Sequence, residues 1–268
     1  MLFASLYVVT GCTDGIGRAL VEELYRLGFQ RLLLIARSEQ KLRLLAQHLQ
    51  AERKVEVHWI AHDFSSADPQ PLETALAEYP DIGLLVNNVG QGPSFRADGS
   101  PFAPWHERAN GEASRILQVN AASAVKMVEL VLAGMVKQGG GLVVSISSML
   151  GWRYFSHLSS YPASKACVSL LSEGLRSEYA GSGVHFQVLM PGLVATKMVQ
   201  LGADGWLSVS PTTFARQAVA IFGAYGISCG CLAHDLQAVI LNAVPFWLLA
   251  PVSARLAKAC HRKTALSA

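Results

Sequence analysis

The chain has 268 residues, of which 51% are hydrophobic and 15% charged, enough for one large α/β domain or two small ones and apolar for a soluble enzyme. Its formal net charge of +3 comes with no basic-aromatic stripe, which argues against a nucleic-acid partner. Five cysteines without zinc-ligand spacing read as reduced thiols in a reducing compartment, and no metal site is expected.

Only Met1 to Ser5 precede the first apolar run, so no signal peptide or anchor helix is expected ahead of the fold. Leu6 to Thr10 reads as a buried strand that enters Gly11-Cys12-Thr13-Asp14-Gly15-Ile16-Gly17, and a helix follows from about Gly17 to Leu27, stopped by Gly28. Strand, glycine loop and helix together suggest a dinucleotide site. Glycines let the backbone approach a pyrophosphate and leave helix amides pointing at it. The candidates are Gly11, Thr13, Asp14, Gly15, Ile16 and Gly17, although their spacing fits the G-x-G-x-x-G fingerprint only loosely and an ordinary glycine-rich turn is the alternative.

A second strand, Arg31 to Ala36, ends at Arg37, twenty residues beyond Gly17, where an NAD-binding chain would carry a carboxylate for the ribose 2′-hydroxyl. Arg37 can pair with a 2′-phosphate instead, which favours NADP(H); its other reading is a solvated residue opening the helix over Glu39 to Glu52. Val55 to Ala61 forms a third strand that leads to Asp63, a partner for an adenine amino group or a cap for the turn at Ser65-Ser66. A fourth, Ile82 to Val86, ends in Asn87-Asn88-Val89-Gly90, where Asn88 suits a close pass beneath a ribose as well as any tight turn.

Gln91 to Asn110 is an irregular stretch, and a long helix is predicted from Glu112 to about Gln138. Asn120 inside it is mildly unfavourable unless its amide holds a kink or a water. Gly141 to Ser147 reads as a strand that carries Ser148 to its carboxyl end. Tyr161 and Lys165, four apart in a helix predicted over Ser160 to Ala180, share one face. An adjacent ammonium is expected to lower the Tyr161 pKa toward the range of a working general acid. The sixth strand, Val184 to Met190, breaks at Pro191-Gly192-Leu193-Val194-Ala195-Thr196, which opens space at the same edge; Thr196 could bond a nicotinamide amide. His157 and His185 read as structural or solvated.

Leu236 to Val252 is apolar but interrupted by Gln237, Asn242, Pro245 and Pro251, short of the roughly 20 clean residues of a membrane span. Followed by Arg255, Lys258, Arg262 and Lys263, it has the composition of an interfacial helix over 236–263, or of a core helix lidding the cleft or joining subunits. Alternating strands and helices argue for one domain over 1–268, a doubly wound parallel α/β sheet with helices on both faces, with 233–268 an apolar then basic extension.

Thr10-Gly11-x-x-x-Gly15-x-Gly17, Asn87-Asn88-x-Gly90, Asn120, Ser148, Tyr161-x-x-x-Lys165 and Pro191-Gly192 together resemble the short-chain dehydrogenase/reductase superfamily, a Rossmann-type fold, over about residues 5 to 200. The glycine loop, Ala36-Arg37-Ser38 with Lys41-Leu42, Asn87-Asn88-Val89-Gly90 and Val194-Ala195-Thr196-Lys197-Met198 resemble more finely the branch of very-long-chain 3-oxoacyl-CoA reductases and 17β-hydroxysteroid dehydrogenases of types 3 and 12. The resemblance implies that Tyr161 protonates a carbonyl oxygen while NADPH delivers hydride. Lys165 would tune the tyrosine and hold the nicotinamide ribose, Ser148 would polarise the carbonyl, and Asn120 would anchor a water leading to solvent. Pro191, Val194 and Thr196 would border the cofactor. It further implies a lipid-like substrate, an acyl-CoA in fatty-acid elongation or a 17-ketosteroid, a homodimer or homotetramer, and residence at the endoplasmic reticulum membrane. Because no anchor is read ahead of the first strand, attachment would fall to 236–263, and a cytoplasmic location is the alternative. A catalytically idle dinucleotide-binding scaffold or sensor is the competing function.

Overall fold

The computed structural model describes residues 5–96, 101–199, 207–245, 247–248 and 251. Seven parallel strands form one sheet: β1 (Leu6–Thr10), β2 (Arg31–Ala36), β3 (Glu56–Ala61), β4 (Ile82–Asn87), β5 (Gly141–Ile146), β6 (Val184–Leu189) and β9 (Ile227–Ser228), in the order β3-β2-β1-β4-β5-β6-β9. The central strands are buried on both faces, with β1 and β4 wholly inside, which is why they read as unbroken apolar runs. The order reverses between β1 and β4, so a crevice opens beyond their carboxyl ends.

One face packs Tyr7, Val9, Leu32 and Leu34 against α1 (Gly15–Arg26), α2 (Glu39–Glu52) and α7 (Pro211–Ala220), through Leu20, Leu24, Leu45 and Phe214. The other buries Leu33, Leu85, Val143 and Phe186 under α3 (Gln70–Leu76), α5 (Ser123–Lys137) and α6 (Ser160–Glu178), through Leu72, Met127, Val131 and the half-buried Leu175. A small parallel pair, β7 (Leu193–Val194) with β8 (Ser208–Val209), lies past the β6 break, and α8 (Leu232–Ala243) follows β9.

The predicted strands and the helices α1, α2 and α6 fall within a few residues of the observed ones; α3, α7 and the β7–β8 pair are not among the predicted elements, and the long helix and the sheet edge also differ. The long helix is α4 (Glu112–Leu117), a π-helical turn over Gln118–Ala122 and α5 in series, so the unfavourable Asn120 sits where the helix widens by one residue. The sheet also continues past the sixth strand: β9 pairs with β6 through Val188 and Leu189, over only two residues, too short for periodicity to announce. Among the described residues, Glu112–Lys137 is long and apolar enough to cross a membrane, but half of its most apolar stretch is buried, as for a core helix on the sheet.

Candidate active site

The crevice holds two adjoining cavities. The first, 490 Å³, is lined by Gly11, Asp14, Gly15, Ile16, Gly17, Arg37 and Asn88 at one end, by Ser148, Tyr161 and Lys165 at the other, and by Pro191, Val194 and Thr196 along one side. The second, 660 Å³, shares Gly11, Asp14 and Arg37 and adds Thr13, Lys41, Asp63 and Arg115. Every expected cofactor residue therefore borders one cavity or the other, and Arg37 borders both.

The seam between β1 and β4 is stitched from below. Thr10 Oγ1 donates to the Val86 carbonyl and accepts the Asn88 and Val89 amides at 3.0 Å, while Asn88 Nδ2 donates to the Thr10 and Gly11 carbonyls at 2.9 and 3.2 Å. Asn88 thus holds the floor of the site. Gly17 is required there, since a Cβ would lie 2.3 Å from both Asn88 Nδ2 and the Gly11 carbonyl. That close approach presses the first turn of α1 onto the seam. Asp14 caps it through the Gly15 amide at 2.9 Å, and Ile16 and Gly17 of the first turn border the cavity.

These features suit a pyrophosphate, which helix amides and the positive end of the helix dipole favour. Asp14 alone would repel it. Lys197 answers that charge with an exposed ion pair at 2.6 Å and holds the Asp14 carboxyl below its usual range. Lys197 was not expected as a site residue, because the 183 residues separating it from Asp14 leave no local signal. Around the second cavity Arg37, Lys41 and Arg115 give a basic lining. Asp63 turns back to cap Ser65 through its amide at 3.0 Å and its hydroxyl at 2.8 Å, which lowers its pKa, so the capping reading describes its hydrogen bonds. Among the described residues no cluster could hold a metal ion.

At the other end Ser148, leaving β5, is buried and borders the cavity together with Tyr161, and its Oγ accepts the Leu150 amide at 3.2 Å. Ser147 braces the opposite side, its hydroxyl donating to the Lys165 carbonyl at 2.8 Å. Lys165 Nζ donates to the Ile146 carbonyl at 2.9 Å and lies 5.9 Å from the Tyr161 ring centre. The expected lowering of the tyrosine is corrected here. Burial raises the Tyr161 pKa, the neighbouring Ser148 hydroxyl opposes the rise, and Lys165 does not offset it. The same burial pushes the Lys165 ammonium down to about 8.

Asn120 does not border the cavity. It is buried, its Oδ1 accepts the Gln91 amide at 2.7 Å, and its Nδ2 donates to the Gln91 carbonyl at 3.0 Å and to Ser164 Oγ at 2.9 Å. Gly90 leaves the gap between Asn120 and Lys165 clear, for a Cβ there would sit 3.4 Å from Lys165 Nζ and 3.6 Å from Asn120 Oδ1. The arrangement offers a phenol able to give a proton, a serine beside it, and a lysine of tunable charge within one cavity.

The model of the short chain dehydrogenase family matches residues 5–204, and the chain belongs to that family. It is an oxidoreductase of the short-chain class with a cleft built for a phosphorylated dinucleotide, NADP(H). Across 90% of its length it is 36% identical to a very-long-chain 3-oxoacyl-CoA reductase of Bos taurus, covering 76% of that protein. It is 35% identical to a 17-beta-hydroxysteroid dehydrogenase type 3 of Mus musculus, over 89% of this chain and 75% of that one. It is also 38% identical, over 90% of this chain and 72% of the other, to an inactive hydroxysteroid dehydrogenase-like protein 1 of Pongo abelii. A short-chain dehydrogenase from Sphingobium yanoikuyae in complex with NADPH superposes with a TM-score of 0.75 at 26% identity, over 89% of this chain and 93% of that one.

Proposed function

We propose that the protein is an NADPH-dependent reductase of a hydrophobic carbonyl compound, with a 3-oxoacyl thioester of fatty-acid elongation as the leading substrate class and a 17-ketosteroid as the second. The single observation that carries this is that Ser148, Tyr161 and buried Lys165 line the same cavity as the glycine loop and Arg37. NADPH supplies the hydride when bound. Tyr161, held neutral by burial, keeps its proton for the carbonyl oxygen, and Ser148 holds that oxygen against the phenol. Lys165, with a pKa of about 8, is charged at neutral pH and stands in the same cavity to hold the nicotinamide ribose. Asn120 takes a supporting part: its hydrogen bonds to Gln91 and Ser164 brace the cavity behind Lys165, and its second Oδ1 lone pair suits a proton-conducting water.

A lipid-like substrate agrees with an unusual surface. α8 turns an apolar stripe outward, Leu232, Leu236, Val239 and Ile240, and the exposed Trp152 and Tyr154 flank Arg153, which donates to the Asn242 carbonyl at its end. We read this face as peripheral membrane contact, in line with residence at the endoplasmic reticulum; the basic residues of the proposed 236–263 contact lie outside the described residues. Exposed Leu117, Val136 and Leu170 on the helices over 112–137 and 160–178 are candidates for pairing in a homodimer or homotetramer.

The competing reading, a scaffold that binds the dinucleotide without turnover, gains weight from the relative named inactive. NADPH absorbance followed with 3-oxoacyl-CoA thioesters of increasing length and with 17-keto steroids separates the readings. Turnover that grows with acyl length supports elongation, and steroid turnover alone supports the second class. Cofactor binding with no oxidation on either panel establishes the scaffold.

A further inference from the structure

Outside the cleft stands an ion pair deeper than any other among the described residues. Arg108 and Glu112 have side chains only 5% and 3% exposed and meet at 2.7 Å, Nη1 to Oε1. Two charges so far from water cost desolvation, and apolar replacements of such a pair are commonly neutral or better for stability. Stability alone therefore gives a weak reason for it.

Its hydrogen bonds supply a stronger one. Arg108 Nη2 donates to the Pro101 carbonyl at 3.1 Å and to the carbonyl of His157. The Ala103 amide reaches the same His157 carbonyl at 3.3 Å, and Phe102 stacks on Phe155 with ring centres 5.4 Å apart. Glu112, which opens α4, also accepts the Ser94 amide at 3.3 Å. One guanidinium thus fastens the segment after β4 to the segment after β5.

That second segment leads into Tyr161. His157 is the one non-glycine among the described residues with a left-handed backbone, φ 68°, a conformation that persists where surrounding contacts hold it. The Tyr161 amide bonds to the Leu158 carbonyl at 3.0 Å, and α6 begins at Ser160 with no side-chain cap. The direction in which α6 starts, and with it the place of the phenol, depends on the turn at His157 and Leu158.

We propose that Arg108, held by Glu112, is a positioning residue for Tyr161: it clamps the His157 turn so that the phenol stands against Ser148. The inference rests on Tyr161 as the proton donor of the proposed reduction. Its test is the double variant Arg108→Met/Glu112→Leu, which removes the clamp without orphaning a charge. Folded protein is expected to lose between about 10- and 100-fold in kcat on a 3-oxoacyl thioester, the cost of a small misplacement of a reacting group, with NADPH affinity unchanged. Amide exchange at Leu158 and Tyr161 accelerates, while β4 and β5 stay protected. A merely structural role would lower Tm and leave the kcat of the folded enzyme where it was. Glu112→Gln, which keeps the shape, is expected to move both readouts in the same direction by less and serves if the double variant does not fold. Wild-type kcat in a folded variant overturns the proposal. Should the wild type reduce no ketone, the reductase reading falls by itself, and exchange at Leu158 and Tyr161 decides the clamp, unchanged rates refuting it.

Discussion

The cleft and α8 treat apolar residues in opposite ways. Around β1, β4 and β5 the apolar side chains are sealed between sheet and helices, and at the strand ends Thr10 and Asn88 stitch the seam while Ser148 borders the cleft. Along α8 the buried side is narrow, His234 and Ala238, and the apolar stripe faces outward. The first region buries its hydrophobic surface to hold chemistry in place. The second leaves it available, and an exposed patch of that kind marks a contact surface.

The sharpest way to test the first region is Tyr161→Phe, which removes the proton donor while keeping the ring. NADPH oxidation should fall by about 10²- to 10⁴-fold, the range for a lost general acid, with cofactor binding intact by fluorescence. Equal loss of binding would mean that the phenol serves the cofactor and not the carbonyl.

Arg37→Glu asks whether the far end of the cleft reads a phosphate. A charge-assisted hydrogen bond contributes about 1.5–3 kcal/mol, so NADPH should bind about 10- to 100-fold more weakly while NADH improves. If both cofactors weaken alike, Arg37 is a solvated residue at the head of α2.

A smaller effect is expected from Leu236→Glu with Val239→Glu. Flotation with anionic lipid vesicles should be lost, whereas turnover of a soluble short-chain substrate and the melting temperature stay near wild type, since both positions are exposed. Stability that falls instead would identify the stripe as a folded contact.

The subtlest readout is pH. Lys165 in the folded protein releases its proton near 8, against 10.5 in the unfolded chain, so between these values the unfolded state holds more protons and this group makes stability rise with pH. Urea titrations at pH 8 and pH 10 should show that rise in the wild type, and Lys165→Met should flatten it. An unchanged slope would mean that the ammonium is not desolvated.

The parts of the fold most legible in the sequence are those governed by neighbours along the chain. The apolar runs of β1, β2 and β5 and the helix stop at Gly28 follow from local hydrophobicity, propensity and allowed backbone angles. The glycine loop and the four-residue spacing of Tyr161 and Lys165 placed the site on one helix and one strand end for the same reason. β9, two residues long, and the β7–β8 pair carried too little pattern to be read.

What the linear order could not decide is how charges meet across the fold. Tyr161 and Lys165 share a helix face as their spacing requires, yet Lys165 turns to the Ile146 carbonyl and burial governs both pKa values, since desolvation depends on everything packed around a group. Lys197 on Asp14 and Arg108 on His157 join residues 183 and 49 apart, pairings that only the closed sheet brings together. The sequence by itself determined which residues are able to do the chemistry, because residue type and short-range spacing are local. The tertiary structure decided which of them are dry, which are clamped and which apolar face is left outside, because burial belongs to the whole fold.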